Sequence, residues 1–279
     1  MRRVILFLIT LLIFIAPVNA NMLSDSIQIR MFLQKYNKAL DNHNSEEIKS
    51  FYDENYKNAD GFTVDDIIQM LEKTYSAYGK IKQKTKINSI TSFDDYAIVQ
   101  LTDKTSATVY PDKNKTKEKA GKLSGKSLYT IYLKKKDNSW KIFYDEITAE
   151  TTCLKYGVAN KIPMELNTPM LIKNGEQYDL SLKMNKPDDI IALASLSNEK
   201  IEFPSPKYQE KFRKIPSDGD LERLVKANSD NKNEYAVASV GFTKFSINEE
   251  VTRARIEIIG MAYLMKRINM VNLKENNAK

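Results

Sequence analysis

The sequence predicts an α+β protein in which three helices pack against a curved antiparallel sheet, followed by a smaller, mostly-β domain. Apolar residues recur at helical spacing as far as Tyr78, and from Lys80 onward they alternate with a period of two. The 279 residues also exceed a typical single domain of about 100–200 residues. We therefore expect a signal peptide over 1–20 and domains over 21–157 and 158–279.

The N-terminus has the layout of a signal peptide. Arg2 and Arg3 precede an apolar run over residues 4–16, and the small residues Val18 and Ala20 flank the expected cleavage position. The run is shorter than the about 20 apolar residues that a spanning helix needs. The sequence predicts Sec-type export of a bacterial protein with cleavage after Ala20. The mature protein is then periplasmic or secreted, with no membrane span.

The charge balance is mildly basic. The chain has 43 Lys and Arg against 36 Asp and Glu, and loss of the signal peptide leaves a net charge of about +5. Charged residues of both signs at 28% are typical of a solvated surface. We therefore expect no nucleic-acid partner, whereas weak attraction to an anionic glycan or a lipid headgroup stays open.

Helical spacing predicts three helices. The first extends over about residues 26–40, the second is short and is capped by Ser45, and the third begins at a capping box at Thr63 and ends before Gly79. The apolar face of the first helix is expected to contain Ile27, Met31, Phe32, Lys35, Tyr36 and Ala39.

Alternating residues predict four strands after the helices, over 80–90, 96–110, 126–136 and 139–148. The turn residues Lys136-Asp137-Asn138 join the last two strands, so we expect these strands to pair as a hairpin.

The order of these elements resembles a known superfamily. Ala39-Leu40 leads into Phe51-Tyr52-Asp53-Glu54, and Ser139-Trp140-Lys141-Ile142 closes the sheet. Over about residues 24–150 this pattern is similar to the nuclear transport factor 2-like, or SnoaL-like, superfamily. The resemblance implies a cone of helices on a bent sheet, with a cavity at the wide end of the cone. It also implies a homodimer, which many relatives form through the sheet. The cavity of such folds is an isomerase or dehydratase site, a ligand pocket or a packed core, so fold does not fix function.

The second half alternates more weakly. Strands are expected over 178–184, 190–196 and 235–240, and residues 220–227 are expected to form a short helix. We interpret this half as a mostly-β, immunoglobulin-like module. The tail over 251–271 fits a helix and a long strand with a bulge at Gly260 equally well, so both remain open.

Several chemistries lack the residues they need. His43 is the sole histidine and lies in a polar break, and Cys153 is the sole cysteine, which excludes an internal disulfide. Zinc would lack ligands, and the acidic cluster over 217–222 does not have the spacing of a calcium loop. Gly125-Lys126-Ser127 lacks the first glycine of a phosphate-binding loop and precedes a strand. The sequence therefore predicts no metal and no cofactor.

One candidate site is the cavity of the cone, with aromatic walls and a carboxylate. Its predicted residues are Tyr36, Tyr52, Tyr75, Tyr132, Trp140, Tyr144, Asp145 and Glu146. A buried carboxylate there would have a raised pKa and would act as a general base. The alternative interpretation is that these aromatic side chains only fill a core.

A second candidate is a lysine-rich strand face. Lys80, Lys82, Lys84 and Lys86 occur at a period of two, so all four point to one side of a strand. The segment with Lys113, Lys115, Lys117, Lys119 and Lys122 follows nearby in the sequence. Such lysines either protect an exposed sheet edge or bind an anion.

Three functions follow from these features. The first is a non-catalytic envelope protein that binds a small ligand or an envelope protein. The second is a cofactor-independent cavity enzyme of isomerase or dehydratase type, with a carboxylate and a tyrosine. The third is attachment to anionic envelope polymers through the lysine face.

Overall fold

Three helices come first in the part of the chain that the structure describes. The computed structural model describes residues 16–78, 80–110, 120–206, 208–248 and 253–271. Helix α1 extends over Ala16–Asp41, α2 over Ser45–Ser50 and α3 over Val64–Tyr78. Asn44, and not Ser45 as the sequence suggested, caps α2, because its side chain accepts a hydrogen bond from the Glu47 amide. Thr63 and Asp66 form the predicted reciprocal cap of α3.

The buried face of α1 agrees only in part with the predicted stripe. Ile29 and Leu33 are buried, whereas Ile27 and Met31 are each 53% exposed. Both sets repeat every four residues, so periodicity alone does not choose between them. Tyr36 and Leu40 continue the buried row, while Lys35 continues the exposed one. The predicted Phe32, Tyr36 and Ala39 do pack in the core, so only the row with Lys35 was misplaced, and its polar residue was the signal.

The four predicted strands follow. They are β1 (Lys82–Phe93), β2 (Tyr96–Val109), β3 (Gly121–Lys136) and β4 (Ser139–Gly157), paired antiparallel in that order. Their inner face packs on the helices, with Val99, Leu133 and Ile142 at the centre of the core. The predicted α+β class, with helices on an antiparallel sheet, is confirmed.

The second half consists almost entirely of strands. After a 3-10 turn at Val158–Lys161 come β5 (Met164–Asn167), β6 (Leu171–Lys173), β7 (Gln177–Met184), β8 (Ile191–Lys200), β9 (Arg213–Lys214), β10 (Asp220–Lys226), β11 (Glu234–Asn248) and β12 (Arg253–Val271). The tail is therefore a strand, and its register with β11 shifts next to Gly260, where the bulge was expected.

The predicted helix over 220–227 is wrong. Residues Asp220–Lys226 form β10, which pairs with β7 along its whole length and buries Val225. Leu, Glu and Arg in this segment favour a helix, but sheet pairing and burial outweigh local propensity here.

One sheet extends through both halves. Its nine strands include the order β1-β2-β3-β4-β12-β11-β8-β9, and the second half of β4 pairs with β12. A separate three-stranded sheet, β10-β7-β5, packs on the outer face of the shared sheet around Phe242, Ala238 and Leu180. The two predicted domains thus share a sheet, and an immunoglobulin-like module is not confirmed.

The helices and the three-stranded sheet cover opposite faces of the shared sheet. The helices cover the inner face of β1–β4, and the three-stranded sheet covers the outer face of β8, β11 and β12. The outer face of β1–β4 and the inner face of β8, β11 and β12 therefore lie outside these two cores.

A buried ion pair joins the two halves. Arg267 on β12 donates to both carboxylate oxygens of Asp60, at 3.0 and 2.6 Å, and Asn233 donates to Asp60 Oδ1 at 2.7 Å. The side chains of Arg267 and Asp60 are only 1% and 5% exposed. This contact fixes the loop between α2 and α3 against the second half.

Among the residues that the structure describes, no helix combines the length and apolar character needed to cross a membrane. Most of the predicted signal peptide, residues 1–15, lies outside the described residues, as do Lys113, Lys115, Lys117 and Lys119.

Candidate functional site

Tyrosines and aspartates meet between the helices and the inner face of the sheet. We call Tyr36, Tyr52, Tyr56, Asp103, Tyr129 and Asp145 the inner cluster. The hydroxyls of Tyr36 and Tyr52 are 2.7 Å apart, and the Tyr56 hydroxyl donates to Asp145 Oδ2 at 2.5 Å. The Tyr129 hydroxyl donates to Asp103 Oδ2 at 2.9 Å. Each aspartate in the cluster therefore has a tyrosine partner.

Burial dominates the electrostatics of the inner cluster. It raises the pKa of Asp145 to about 6, with a further increase from Asp60, while the hydrogen bond from Tyr56 opposes the shift. Burial also raises the pKa of Asp103, despite hydrogen bonds from Tyr129 and Gln83. Both carboxylates help to raise the pKa of Tyr36. The cluster thus combines tyrosines that remain protonated with a carboxyl group that titrates near neutral pH.

The structure brings only part of the predicted cavity set together. Tyr36, Tyr52 and Asp145 belong to the inner cluster. Tyr75 donates to the Leu40 carbonyl at 3.2 Å and stacks on His43, at the end of α1. Trp140 is buried on the inner face, under the ammonium group of Lys135.

The other three predicted side chains lie on the outer face. Tyr132 and Tyr144 are cross-strand neighbours, and the Tyr132 hydroxyl donates to Glu146 Oε1 at 2.8 Å. The sheet register shifts at Phe143, so Trp140 and Ile142 face inward while Tyr144 and Glu146 face outward. Strict alternation predicts one face for residues 140, 142, 144 and 146, but the bulge divides them.

Sequence reasoning missed three members of the cluster: Tyr56, Asp103 and Tyr129. Tyr56 follows α2 in an irregular segment, so no periodicity placed it. The signal for Asp103 was available, because it occupies an apolar position in the alternation of β2, directly after Val99 and Leu101. A carboxylate at such a position indicates a buried polar partner.

The pKa of Asp145 predicts how stability depends on pH. A folded-state pKa near 6, above the ordinary 3.8, means that the folded protein retains a proton that the unfolded chain loses. The stabilisation is complete below about pH 4 and is lost as the pH rises through 6. Asp145→Asn keeps an oxygen acceptor for Tyr56 without the charge. We therefore expect its free energy of unfolding to exceed that of the wild type by about 3 kcal/mol at pH 7.5 and by less than about 1 kcal/mol near pH 4.

Urea unfolding across this pH range measures the difference. The exposed Asp188→Asn is the control and should show no such trend. A constant difference between Asp145→Asn and the wild type at all pH values would contradict the expected titration.

Lysines align across the strands of the outer face. Lys84 lies directly opposite Lys104, Lys104 opposite Lys126, and Lys126 opposite Thr151. Thr151 in turn pairs with Lys266 on β12. We call Lys84, Lys104, Lys126 and Lys266 the lysine row. None of the four forms an ion pair with a residue that the structure describes.

The predicted strand face forms one end of this surface. Lys82, Lys84 and Lys86 are exposed on β1, at the edge of the shared sheet, and Lys80 precedes the strand. Only Lys84 belongs to the row, because the row crosses the strands instead of following one. The lysines on β2, β3 and β12 could not be assigned to it without the register of the sheet.

Two hollows accompany the lysine row. A hollow of about 550 Å³ is lined by Lys104, Lys126 and Lys266 and by one acidic residue, Glu165. A larger one of about 1020 Å³ is lined by Lys80, Lys82, Lys122 and Lys155. The two share Ser124 and Cys153, so they form neighbouring parts of one basic surface.

The described residues provide neither a metal site nor a buried histidine for acid–base catalysis. Within the described ranges, no three His, Cys, Asp or Glu side chains come together as a metal site. His43 is exposed next to Tyr75, and burial raises the pKa of the Cys153 thiol.

Comparison with known proteins gives likenesses of fold. No protein-family model and no curated protein matches the sequence. Among solved structures, the chain is similar to Bd1075 of Bdellovibrio bacteriovorus, with 22% identity, a TM-score of 0.35, and coverage of 43% of this chain and 39% of the other. The match thus spans well under half of the Bdellovibrio protein.

Two further structures cover most of their own length. A nuclear transport factor 2-like protein from Streptomyces avermitilis has 12% identity and a TM-score of 0.37, over 44% of this chain and 95% of the other. A hexachlorocyclohexane dehydrochlorinase of type 2 has 9% identity and a TM-score of 0.37, over 45% and 86%. The solved structures that match about 44% of this chain thus include nuclear transport factor 2-like proteins. The likeness concerns the fold alone.

Proposed function

We propose that this chain is an exported, non-catalytic protein of the bacterial envelope that binds an anionic glycan along the lysine row. The observation that carries the proposal is the direct cross-strand alignment of Lys84, Lys104 and Lys126. Like charges directly opposite each other in a sheet are destabilising, and a bound anion relieves their repulsion.

The geometry of the row favours an extended ligand. Lys84 and Lys266 are separated by four strand spacings, which is about 19 Å. Charges placed along such a line match a chain with repeated acidic groups better than a single headgroup. The hollows beside the row provide space for the uncharged parts of each repeat.

Charge reversal tests the row. We expect wild-type protein to bind short polygalacturonate chains, used as the probe, and to lose affinity between about 50 and about 300 mM NaCl because salt screens the lysines. Lys104→Glu with Lys126→Glu should weaken binding at least about tenfold at the lower salt concentration, since two attractions become repulsions. Isothermal titration calorimetry measures both effects, with dextran as the uncharged probe.

The matched control is Lys35→Glu with Lys173→Glu, which changes the net charge equally on other exposed surfaces. Its affinity for polygalacturonate should stay within about twofold of that of the wild type. The two changed charges lie away from the lysine row, and salt screens their effect on the bound ligand. Equal losses in both double variants, or binding that is insensitive to salt, would rule out the lysine row.

The single cysteine reports where the ligand lies. Cys153 forms part of the wall of both hollows, so bound polygalacturonate should slow its alkylation by iodoacetamide. Dextran should not. Unchanged alkylation in the presence of bound polygalacturonate would place the ligand elsewhere.

A second candidate function is catalysis by the inner cluster. The Asp145 carboxyl, with its pKa of about 6, and the Tyr56 hydroxyl form an acid–base pair suited to an isomerase or dehydratase reaction. Tyr56 and Tyr52 are 3% and 8% exposed, however, which favours a packed interior over an open site. Turnover of a substrate that Asp145→Asn abolishes without loss of stability would favour the enzyme over the binding protein.

A further inference from the structure

A mostly apolar pocket lies on the inner face of the second half, on the side that the three-stranded sheet does not cover. Its volume is about 530 Å³, within the usual range for sites that bind small molecules. β4, β8, β11 and β12 form its floor, Tyr78 at the end of α3 forms one wall, and residues 210–212 form another. The lysine row lies on the opposite face, so the two sites are separate.

Large apolar side chains are exposed around this pocket. Ile258 is 68% exposed, Met261 55%, Phe212 48% and Leu193 37%, and all four line it. Apolar exposure concentrated at one concave site indicates a binding surface, whereas scattered exposed residues do not. The side chains therefore favour an apolar ligand.

The charge of the pocket lining indicates which head group an apolar ligand should carry. Among the residues that the structure describes, no Lys or Arg lines this pocket, and the charged residue of its lining is Glu210. Ser239 donates a hydrogen bond to the Glu210 carboxylate, which holds it at the wall. Glu199 lies close enough that Glu210 adds to the increase that burial causes in the pKa of Glu199.

Aromatic rings complete the wall. Tyr78, Tyr156 and Tyr263 line the pocket together with Phe212. The faces of tyrosine and phenylalanine rings attract cations, and an adjacent carboxylate strengthens that attraction. An apolar floor, aromatic walls and a carboxylate without a basic partner among the described lining residues together match a cationic amphiphile.

We propose that this pocket binds a small apolar molecule that carries one cationic ammonium group. The apolar part packs on Met261, Ile258 and Leu193, and the ammonium group lies near Glu210. The inference is independent of glycan binding at the lysine row, because none of Lys84, Lys104, Lys126 and Lys266 lines the apolar pocket.

Three surfactants with the same tail test the proposal. We use octyltrimethylammonium, octyl sulfate and octyl glucoside below the concentrations at which they form micelles, and measure binding to the full chain by isothermal titration calorimetry. The cationic compound should bind at least about tenfold more tightly than the other two, because only its head group is complementary to Glu210. Glu210→Gln keeps the acceptor for Ser239 and should reduce that preference at least about fivefold.

Two further variants locate the site. Met261→Lys places a positive charge in the pocket and should abolish binding of the cationic compound, whereas Glu222→Gln on β10 removes an exposed carboxylate elsewhere and should change nothing. Equal affinity for all three surfactants, or a preference that survives Glu210→Gln, would overturn the proposal. Self-association of the protein that Met261→Lys abolishes, without selectivity among surfactants, would assign the face to a second copy and would overturn it too.

Discussion

Replacing Arg267 by methionine is expected to lower the free energy of unfolding by about 3–5 kcal/mol, because it leaves the Asp60 carboxylate buried without its partner. The Asp60 side chain is 5% exposed, so water cannot take the place of the guanidinium group. The remaining hydrogen bond from Asn233 satisfies only one carboxylate oxygen. Urea unfolding at neutral pH, followed by circular dichroism, measures the loss.

Two controls separate burial from the mere loss of an ion pair. Lys183→Met breaks an exposed pair with Asp220 and should cost less than about 1 kcal/mol. Asp60→Leu combined with Arg267→Met removes both charges and should be more stable than Arg267→Met alone, since no unpaired charge stays buried. A cost below 1 kcal/mol for Arg267→Met would mean that the junction between the two halves is hydrated.

Replacing Gly157 by alanine is expected to cost about 3 kcal/mol. Gly157 ends β4 with a φ of +57°, and an added Cβ would lie 2.2 Å from the Ile259 carbonyl oxygen of β12. A positive φ combined with a ψ of −135° is a backbone conformation that favours glycine and costs an alanine about 1–3 kcal/mol, and the contact with rigid backbone adds about 1 kcal/mol or more. Because β12 must move away, the pairing between the two halves weakens.

Gly241→Ala is the matched control for Gly157→Ala. Gly241 lies within β11, and no atom lies within 4 Å of a Cβ added there. This change should be neutral or should stabilise the protein by about 0.5 kcal/mol, because it restricts only the unfolded chain. If the two variants have the same stability, the close approach of β12 to Gly157 is not a constraint.

These two predictions concern contacts that join elements distant in the sequence. Asp60 and Arg267 belong to different predicted domains, and neither looked unusual in a chain with 28% charged residues. Their burial depends on the pairing of β4 with β12, which no local pattern specifies. The residues of the inner cluster show the same limit. Tyr36, Tyr52 and Asp145 were predicted from the sequence as aromatic and acidic residues of the cavity, whereas only the tertiary structure shows that Tyr56 and Tyr129 lie next to them.

The amino-acid sequence by itself determined the α+β class, the three helices and the strands of the first half, because hydrophobic periodicity and caps are local. It also determined that a lysine face exists on β1. Only the tertiary structure decided which helix row is buried, that Asp220–Lys226 is a strand, that the bulge at Phe143 divides one predicted wall between two faces, and that lysines of four strands form one row. Each of these depends on register and on contacts between distant segments, and a shift of one residue in register reverses the face of every side chain that follows.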